Sequence, residues 1–237
     1  MNSISFKTID STNTYLKQHY SQLENLTFVS AEYQTAGKGR SGRTWHSEAA
    51  SNLMFSVLIK DEKLMAKYHE ISVVTALAII RVLEKHGLGS LMIKWPNDIY
   101  ADGKKICGIL SEGVFLEKME CMIVGCGINV NQQEFAGDYL RNPTSMFQET
   151  GEKTDIETLK KEIYESLQDC YRQIEDNVSF YPEISKYDYL KGLTAYAEIR
   201  GKKEKVYIQG INPNCTITIV LNGRPQEVES GEITFHV

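Results

Sequence analysis

The chain has 237 residues, 42% hydrophobic and 24% charged, with 26 Lys and Arg against 31 Asp and Glu for a net charge of −5. These values exclude disordered, collagenous and disulfide-scaffold classes and leave one large or two modest globular domains. Net acidity argues against bulk nucleic-acid binding, so any basic cluster needs a local purpose.

Ile4 to Lys7 reads as a short strand, and Asp10-Ser11-Thr12-Asn13 supplies N-cap residue types before the helical pattern of Tyr15, Leu16 and His19. Thr27 to Tyr33 and Leu53 to Ile59 are strand-like. Between them, Gln34 to Ser51 is Gly-rich, basic and structureless. A loop beyond ~12–15 residues in a compact domain is generally functional or disordered, and this composition favours function. Lys67 to His86 has near-helical apolar spacing with Gly87 as its stop. Leu91 to Trp95 is a strand stopped by Pro96, and Asp102-Gly103 is a hairpin turn leading into Ile106 to Val114, which Cys121 to Val130 partners. Ile156 to Glu175 is predicted as a second long helix and Ile184 to Leu190 as a third, ending at Gly192.

From Leu193 onward the pattern becomes all-β. Ala195 to Ile199, Lys205 to Ile211, Cys215 to Leu221, Gln226 to Ser230 and Ile233 to Phe235 are short strands, with turns at Asn212-Pro213-Asn214 and Asn222-Gly223. Their regular spacing predicts a compact barrel packed on the larger domain. The most apolar stretch, Ile71 to Ile80, falls well short of the ~20 residues that span a bilayer, and MNSISFKTID resembles no signal or transit peptide. No membrane association is expected, and cytoplasm is the default location. Five cysteines without a C-x-x-C pair or finger-like His spacing predict neither disulfides nor a dedicated protein metal site, and the apolar or β-branched neighbours of four of them predict small hydrophobes.

The densest chemical signal is Gly37-Lys38-Gly39-Arg40-Ser41-Gly42-Arg43, with three cations and three glycines. Glycine lets backbone approach an anion, and Arg offers a planar fork for phosphate or carboxylate. The segment matches neither a Walker loop nor a Rossmann fingerprint. Lys94-Trp95-Pro96-Asn97-Asp98, Lys105 before Ile106-Cys107-Gly108-Ile109-Leu110, and Gly125-Cys126-Gly127-Ile128-Asn129 are each weak signals alone.

In order, Asp10-Ser11-Thr12-Asn13, Ala31 to Gln34 with GKGRSGRTW, KWPND, KKICGIL and GCGINVN closely resemble the biotin protein ligases over nearly the whole chain. The resemblance implies an α+β fold: a mixed β-sheet with helices forming a catalytic domain over 1–192, then a small SH3-like all-β domain over 193–237. It implies activation of biotin by ATP, with Mg²⁺, to biotinyl-5′-AMP, and transfer to a lysine of a biotin carboxyl carrier protein of a biotin-dependent carboxylase.

The same resemblance implies that Ser11, Thr12, Asn13 and Gln34 meet the biotin ureido ring. Lys38, Gly39 and Arg40 cover the biotinyl phosphate, Lys105 bridges the biotin carboxylate and α-phosphate, and Gly108 with Ile109 forms apolar wall. Arg43, Trp45, Asn97 and Asn129 border the nucleotide, while Lys105, Arg40 and Asp98 form the catalytic set, Asp98 helping to deprotonate the acceptor amine. Lys38 stands where the family commonly has arginine, which keeps the charge and loses the fork. Lipoate or octanoate ligation is the rival enzyme reading, though the R-R-x-x-G-G-G loop of those ligases is absent. A biotin-responsive DNA-binding repressor is the rival of another class; only nine residues precede Asp10, so no nucleic-acid partner is expected. Ligases of this type occur as monomers and dimers, which leaves a homodimer open with a lean toward it.

Overall fold

The computed structural model describes residues 2–135, 142–199, 201–230 and 233–236. Strand β1 (Ser3–Ile9) leads into helix α1 (Thr12–His19), followed by β2 (Phe28–Gln34) and β3 (Asn52–Ile59). Helices α2 (Glu62–Ala66) and α3 (Tyr68–Lys85) precede β4 (Leu91–Lys94), β5 (Asp98–Ala101), β6 (Lys104–Phe115) and β7 (Met119–Asn129). Three helices follow: α4 (Met146–Thr150), α5 (Ile156–Glu175) and α6 (Tyr181–Ile184). The last strands are β8 (Thr194–Ile199), β9 (Lys202–Ile211), β10 (Ile217–Leu221), β11 (Arg224–Val228) and β12 (Ile233–His236).

The first seven strands form one mixed sheet in the order β1-β2-β3-β7-β6-β5-β4, parallel between β1 and β2 and antiparallel elsewhere. Strand alternation divides its apolar side chains between two faces. Phe28, Phe55 and Val57 join the core beneath α3 and α5, whereas Val29 and Leu58 pack with Leu16 of α1 on the opposite face. The interior strand β3 is therefore buried along its whole length. Helix α5 starts where the Asp155 carboxylate accepts from the Thr158 backbone N–H at 2.8 Å, as an N-cap should.

The second sheet, β11-β10-β9-β8-β12, is entirely antiparallel. Its β10–β11 hairpin turns at Asn222 (φ 51°) and Gly223 (φ 75°), and the β5–β6 hairpin at Asp102 (φ 45°) and Gly103 (φ 75°). Both Asx-Gly pairs supply the two positive-φ residues that a tight hairpin requires. Trp95 Nε1 donates to the Cys215 carbonyl at 2.8 Å, and the Asp188 carboxylate accepts from the Leu190 and Ile211 backbone N–H groups, fastening this sheet to the first.

Three expectations are corrected. The predicted helix Ile184 to Leu190 is absent: α6 ends at Ile184, and the chain then turns so that Asp188 bridges Ile93 of β4 in parallel. The apolar residues Tyr187, Tyr189 and Leu190 serve sheet and core contacts there, a tertiary use that mimics helical spacing. A strand not foreseen between Pro96 and Asp102, β5, starts at Asp98 after the turn through Asn97, and its four residues are too few to show a period. The stretch from Gln34 to Ser51 is ordered in part, by a 3-10 turn at Arg40–Gly42 and an antiparallel bridge between Lys38 and Thr44. Short helices α2 and α4 escaped the pattern for the same reason of length.

All five cysteines are free and buried. Burial pushes the Cys170 thiol up to about 11 and that of Cys215 up to about 12, so both stay protonated near neutrality. Among the described residues no helix is long and apolar enough to cross a membrane.

Candidate active site

A cleft opens where the start of α1, the end of β2 and the Gly-rich loop meet β6 and β7. Of the residues singled out from sequence, Ser11, Thr12, Asn13, Gln34, Lys38, Gly39, Arg40, Trp45, Asn97, Gly108 and Ile109 line it. The sequence reading missed Phe55, Leu110, Gly125, Cys126 and Gly127 as further lining.

One end of the cleft is a neutral hydrogen-bonding cluster. Ser11 is the N-cap of α1, and its hydroxyl accepts from the Thr14 backbone N–H at 3.5 Å. Gln34 Oε1 accepts from the Thr12 backbone N–H at 2.8 Å, orienting the carboxamide at the end of β2. Asn13 lies flat on β7 because position 125 is glycine: a Cβ there would stand 2.2 Å from Asn13 Oδ1. Ser11, Thr12 and Asn13 are buried although polar, which is tolerable only while their hydrogen bonds are made.

The other end is cationic. Lys105 Nζ lies 2.7 Å from Asp98 Oδ1 and 5.6 Å from the Trp45 ring centroid, and a Cβ on Gly108 would meet it at 3.1 Å. Arg40 Nη1 donates to Asn97 Oδ1 at 2.8 Å, and Asn97 Nδ2 donates to the Ile109 carbonyl at 2.7 Å. Burial pulls the Arg40 guanidinium below its ordinary value and Arg43 adds to that, while the Asp98 charge opposes it. An anion in the cleft would stabilise the charged form further. Lys38 Nζ donates to Thr14 Oγ1 at 2.9 Å, spanning the loop and α1.

Two glycine contacts hold the loop's shape. The Gly39 N–H donates to the Arg43 carbonyl at 2.7 Å, and the Trp45 N–H to the Gly37 carbonyl at 3.0 Å. The Trp45 indole rests on Gly127, where a Cβ would lie 2.5 Å from the ring.

Four residues of the sequence reading lie outside the lining: Lys105 and Asp98, which pair with one another beside Gly108, and Arg43 and Asn129. Arg43 is exposed on the outer side of the loop. Asn129 is buried and donates to the Thr144 carbonyl at 2.8 Å, holding the segment that follows β7. Behind the neutral cluster stand Ser56, Glu112 and Lys17, which the sequence reading did not select. Ser56 alone left a trace, as the one hydroxyl in the run Leu53 to Ile59.

The family model of the biotin/lipoate A/B protein ligase family matches residues 5–129. The bifunctional ligase/repressor BirA of Escherichia coli is 32% identical over 232 residues, covering 96% of this chain and 72% of that protein. Its Bacillus subtilis counterpart is 36% identical over 149 residues, 62% of this chain; the match spans about half of that relative's length, 46%. The solved biotin protein ligase from Aquifex aeolicus in complex with biotin and ATP aligns with a TM-score of 0.87 at 26% identity, covering 99% of this chain and 98% of that one.

Proposed function

The chain belongs to the biotin/lipoate A/B protein ligase family, among its biotin protein ligases, and from that premise we propose that it joins biotin to AMP and then to a lysine of a biotin carboxyl carrier protein. What supports the reading most is one cleft with two chemistries. Ser11, Thr12, Asn13 and Gln34 offer neutral hydrogen bonds at one end, Arg40 lines the other with Lys105 beside it at Gly108, and Lys38 reaches from the loop to Thr14 of α1. Biotin has the matching asymmetry, a neutral ureido ring at one end and a carboxylate at the other.

In the first step a biotin carboxylate oxygen attacks the α-phosphorus of ATP, the bond to the bridging oxygen breaks, and pyrophosphate leaves with the electron pair. Lys105 and Arg40 hold the two anions together and stabilise the charge that builds on the phosphoryl oxygens. Binding of that charge competes with Asp98 for Lys105, which frees the Asp98 carboxylate. In the second step the deprotonated lysine amine of the carrier attacks the anhydride carbonyl and AMP departs; Asp98 takes the amine proton. Trp45 and Asn97 border the nucleotide, Gly108 and Ile109 form the wall beside the ring system, and Gly39 lets the loop backbone approach the phosphate.

Among the described residues no three metal-ligating side chains cluster, and the Asp98 carboxylate already faces Lys105. Mg²⁺ would enter on the nucleotide phosphates and supply positive charge there. The test is incubation with biotin, ATP and Mg²⁺ followed by mass spectrometry for biotinyl-5′-AMP, with lipoate in parallel. A lipoyl adenylate alone would overturn the proposal.

A further inference from the structure

The proposed function uses Thr12 and Asn13 but gives no part to Ser56, Glu112 or Lys17, which complete one connected chain behind the cleft. Lys17 Nζ pairs with Glu112 Oε1, and Glu112 Oε2 accepts from Asn13 Nδ2 at 2.7 Å. Asn13 Oδ1 accepts from Ser56 Oγ at 2.5 Å, and Ser56 Oγ lies 2.6 Å from Thr12 Oγ1. Thr12, Asn13 and Ser56 are buried, so solvent does not interrupt the sequence of contacts.

The chemistry of the outer end fixes the direction of every proton further in. An ammonium only donates and an ionised carboxylate only accepts. Burial pushes the Glu112 carboxyl up, but hydrogen bonds from Lys17 and Asn13 outweigh it, with help from the Lys17 and Lys38 charges, and hold it below its ordinary value. Asn13 must then turn its NH₂ toward Glu112 and its carbonyl oxygen toward Ser56. Ser56 gives its one proton to that oxygen, so Thr12 has to donate across the 2.6 Å contact. The other side-chain contact of Thr12, 3.1 Å to Gln34 Oε1, draws on the same proton. Toward the cleft the Thr12 hydroxyl can only accept.

We propose that Glu112, paired with Lys17, is a positioning residue that sets ligand specificity: it orders the chain through Asn13 and Ser56 so that Thr12 presents an acceptor to a ring N–H of the acid substrate. The inference rests on biotin as that substrate, whose cyclic urea supplies two such N–H groups.

Glu112→Gln replaces two acceptors by one carbonyl and one NH₂. The Lys17 ammonium claims the carbonyl and the NH₂ then faces Asn13, which must either lose that partner or turn its oxygen toward the Leu110 carbonyl, 3.4 Å from Asn13 Nδ2 in the wild type. In the reversed order Thr12 accepts from Ser56 and keeps its proton on Gln34 Oε1, which spends a lone pair that the ligand N–H would use. By isothermal titration calorimetry the biotin Kd should rise about tenfold or more, with the ATP Kd changed by less than about twofold. Adding Lys17→Met removes the competing donor, so the new amide can turn its oxygen back to Asn13, and biotin affinity should return to within about threefold of wild type. A structural role for Glu112 would not be rescued in this way.

Unchanged biotin affinity in Glu112→Gln overturns the inference, as does a double variant as weak as the single one. If Glu112→Gln does not fold, the double variant decides alone: near wild-type affinity supports the proton order, and weak binding or failure to fold overturns it. Wild-type protein without affinity for biotin would overturn the proposed function together with this inference, whereas failure confined to the variants leaves that function standing.

Discussion

Lys105 stands between a carboxylate and an aromatic ring, with Asp98 at 2.7 Å and the Trp45 centroid at 5.6 Å. It is half-buried and its side-chain contacts are to Asp98 and Trp45 beside the cleft, so its removal should spare the fold. Lys105→Ala should slow biotin-dependent pyrophosphate release ~10²-fold or more, the scale for one lost preorganised donor, while the thermal midpoint stays near wild type. Release at the wild-type rate would make Lys105 a plain partner of Asp98. Gly125 supports a second residue-scale prediction, because its missing Cβ is the space Asn13 occupies. Gly125→Ala should displace Asn13 and weaken biotin binding about tenfold, measured by calorimetry, while ATP affinity is retained. Equal loss for both ligands would indicate a distorted strand instead. The Gly-rich loop and KWPND were legible in sequence because their residues are neighbours along the chain. Ser56 and Glu112 were not, since they meet Asn13 only through the register of β3, β7 and β6, and Lys17, one turn along α1, joins them only by way of Glu112.

At the scale of elements, the long periodic pieces were legible and the short ones were not. Helix α5 runs over the predicted span because its apolar residues recur at helical spacing and Asp155 caps it. The four residues of α6 carry no period, and their attachment depends on a partner far away in sequence. Arg81 of α3 grips Glu183 with two contacts, Nε to Oε1 at 2.8 Å and Nη2 to Oε2. Those bonds from Arg81 hold the Glu183 carboxyl below its ordinary value against the opposing effect of burial.

A lowered folded pKa means that the unfolded chain binds the proton first, so this pair contributes stability above the ordinary carboxylate value of ~4.3. The contribution is lost as pH falls through the lowered folded value. Glu183→Gln should therefore be less stable than wild type near neutrality, by about 1 kcal/mol or less at this partly exposed pair. Urea unfolding as a function of pH should show a constant gap above pH ~5 that closes below pH ~4. A gap that persists in acid would assign the loss to packing of α6 and not to charge.

The molecule as a whole is two sheets held by a few buried polar contacts within one continuous apolar core. Trp95 is the central clasp: its indole N–H reaches the Cys215 carbonyl at 2.8 Å, and its ring meets Phe235 edge-on at 6.1 Å. Asp188 is the second clasp, and it requires glycine at position 210, where φ is +131° and a Cβ would stand 2.9 Å from Asp188 Oδ2. Trp95→Phe keeps an aromatic ring but removes the donor, leaving the Cys215 carbonyl without it in a dry setting, at a cost of about 1–3 kcal/mol. For a chain of this size each kcal/mol lowers the thermal midpoint by ~2–4 °C, so a fall of several degrees is expected. The loss should also be local. Hydrogen exchange should quicken at the amides of β9 and β10, which the clasp secures, while α3, packed against α5 and the first sheet, keeps its protection. If α3 and β9 lose protection equally, the second sheet has no opening of its own and the molecule unfolds as one unit; if neither changes, the Trp95 hydrogen bond contributes nothing that solvent does not replace.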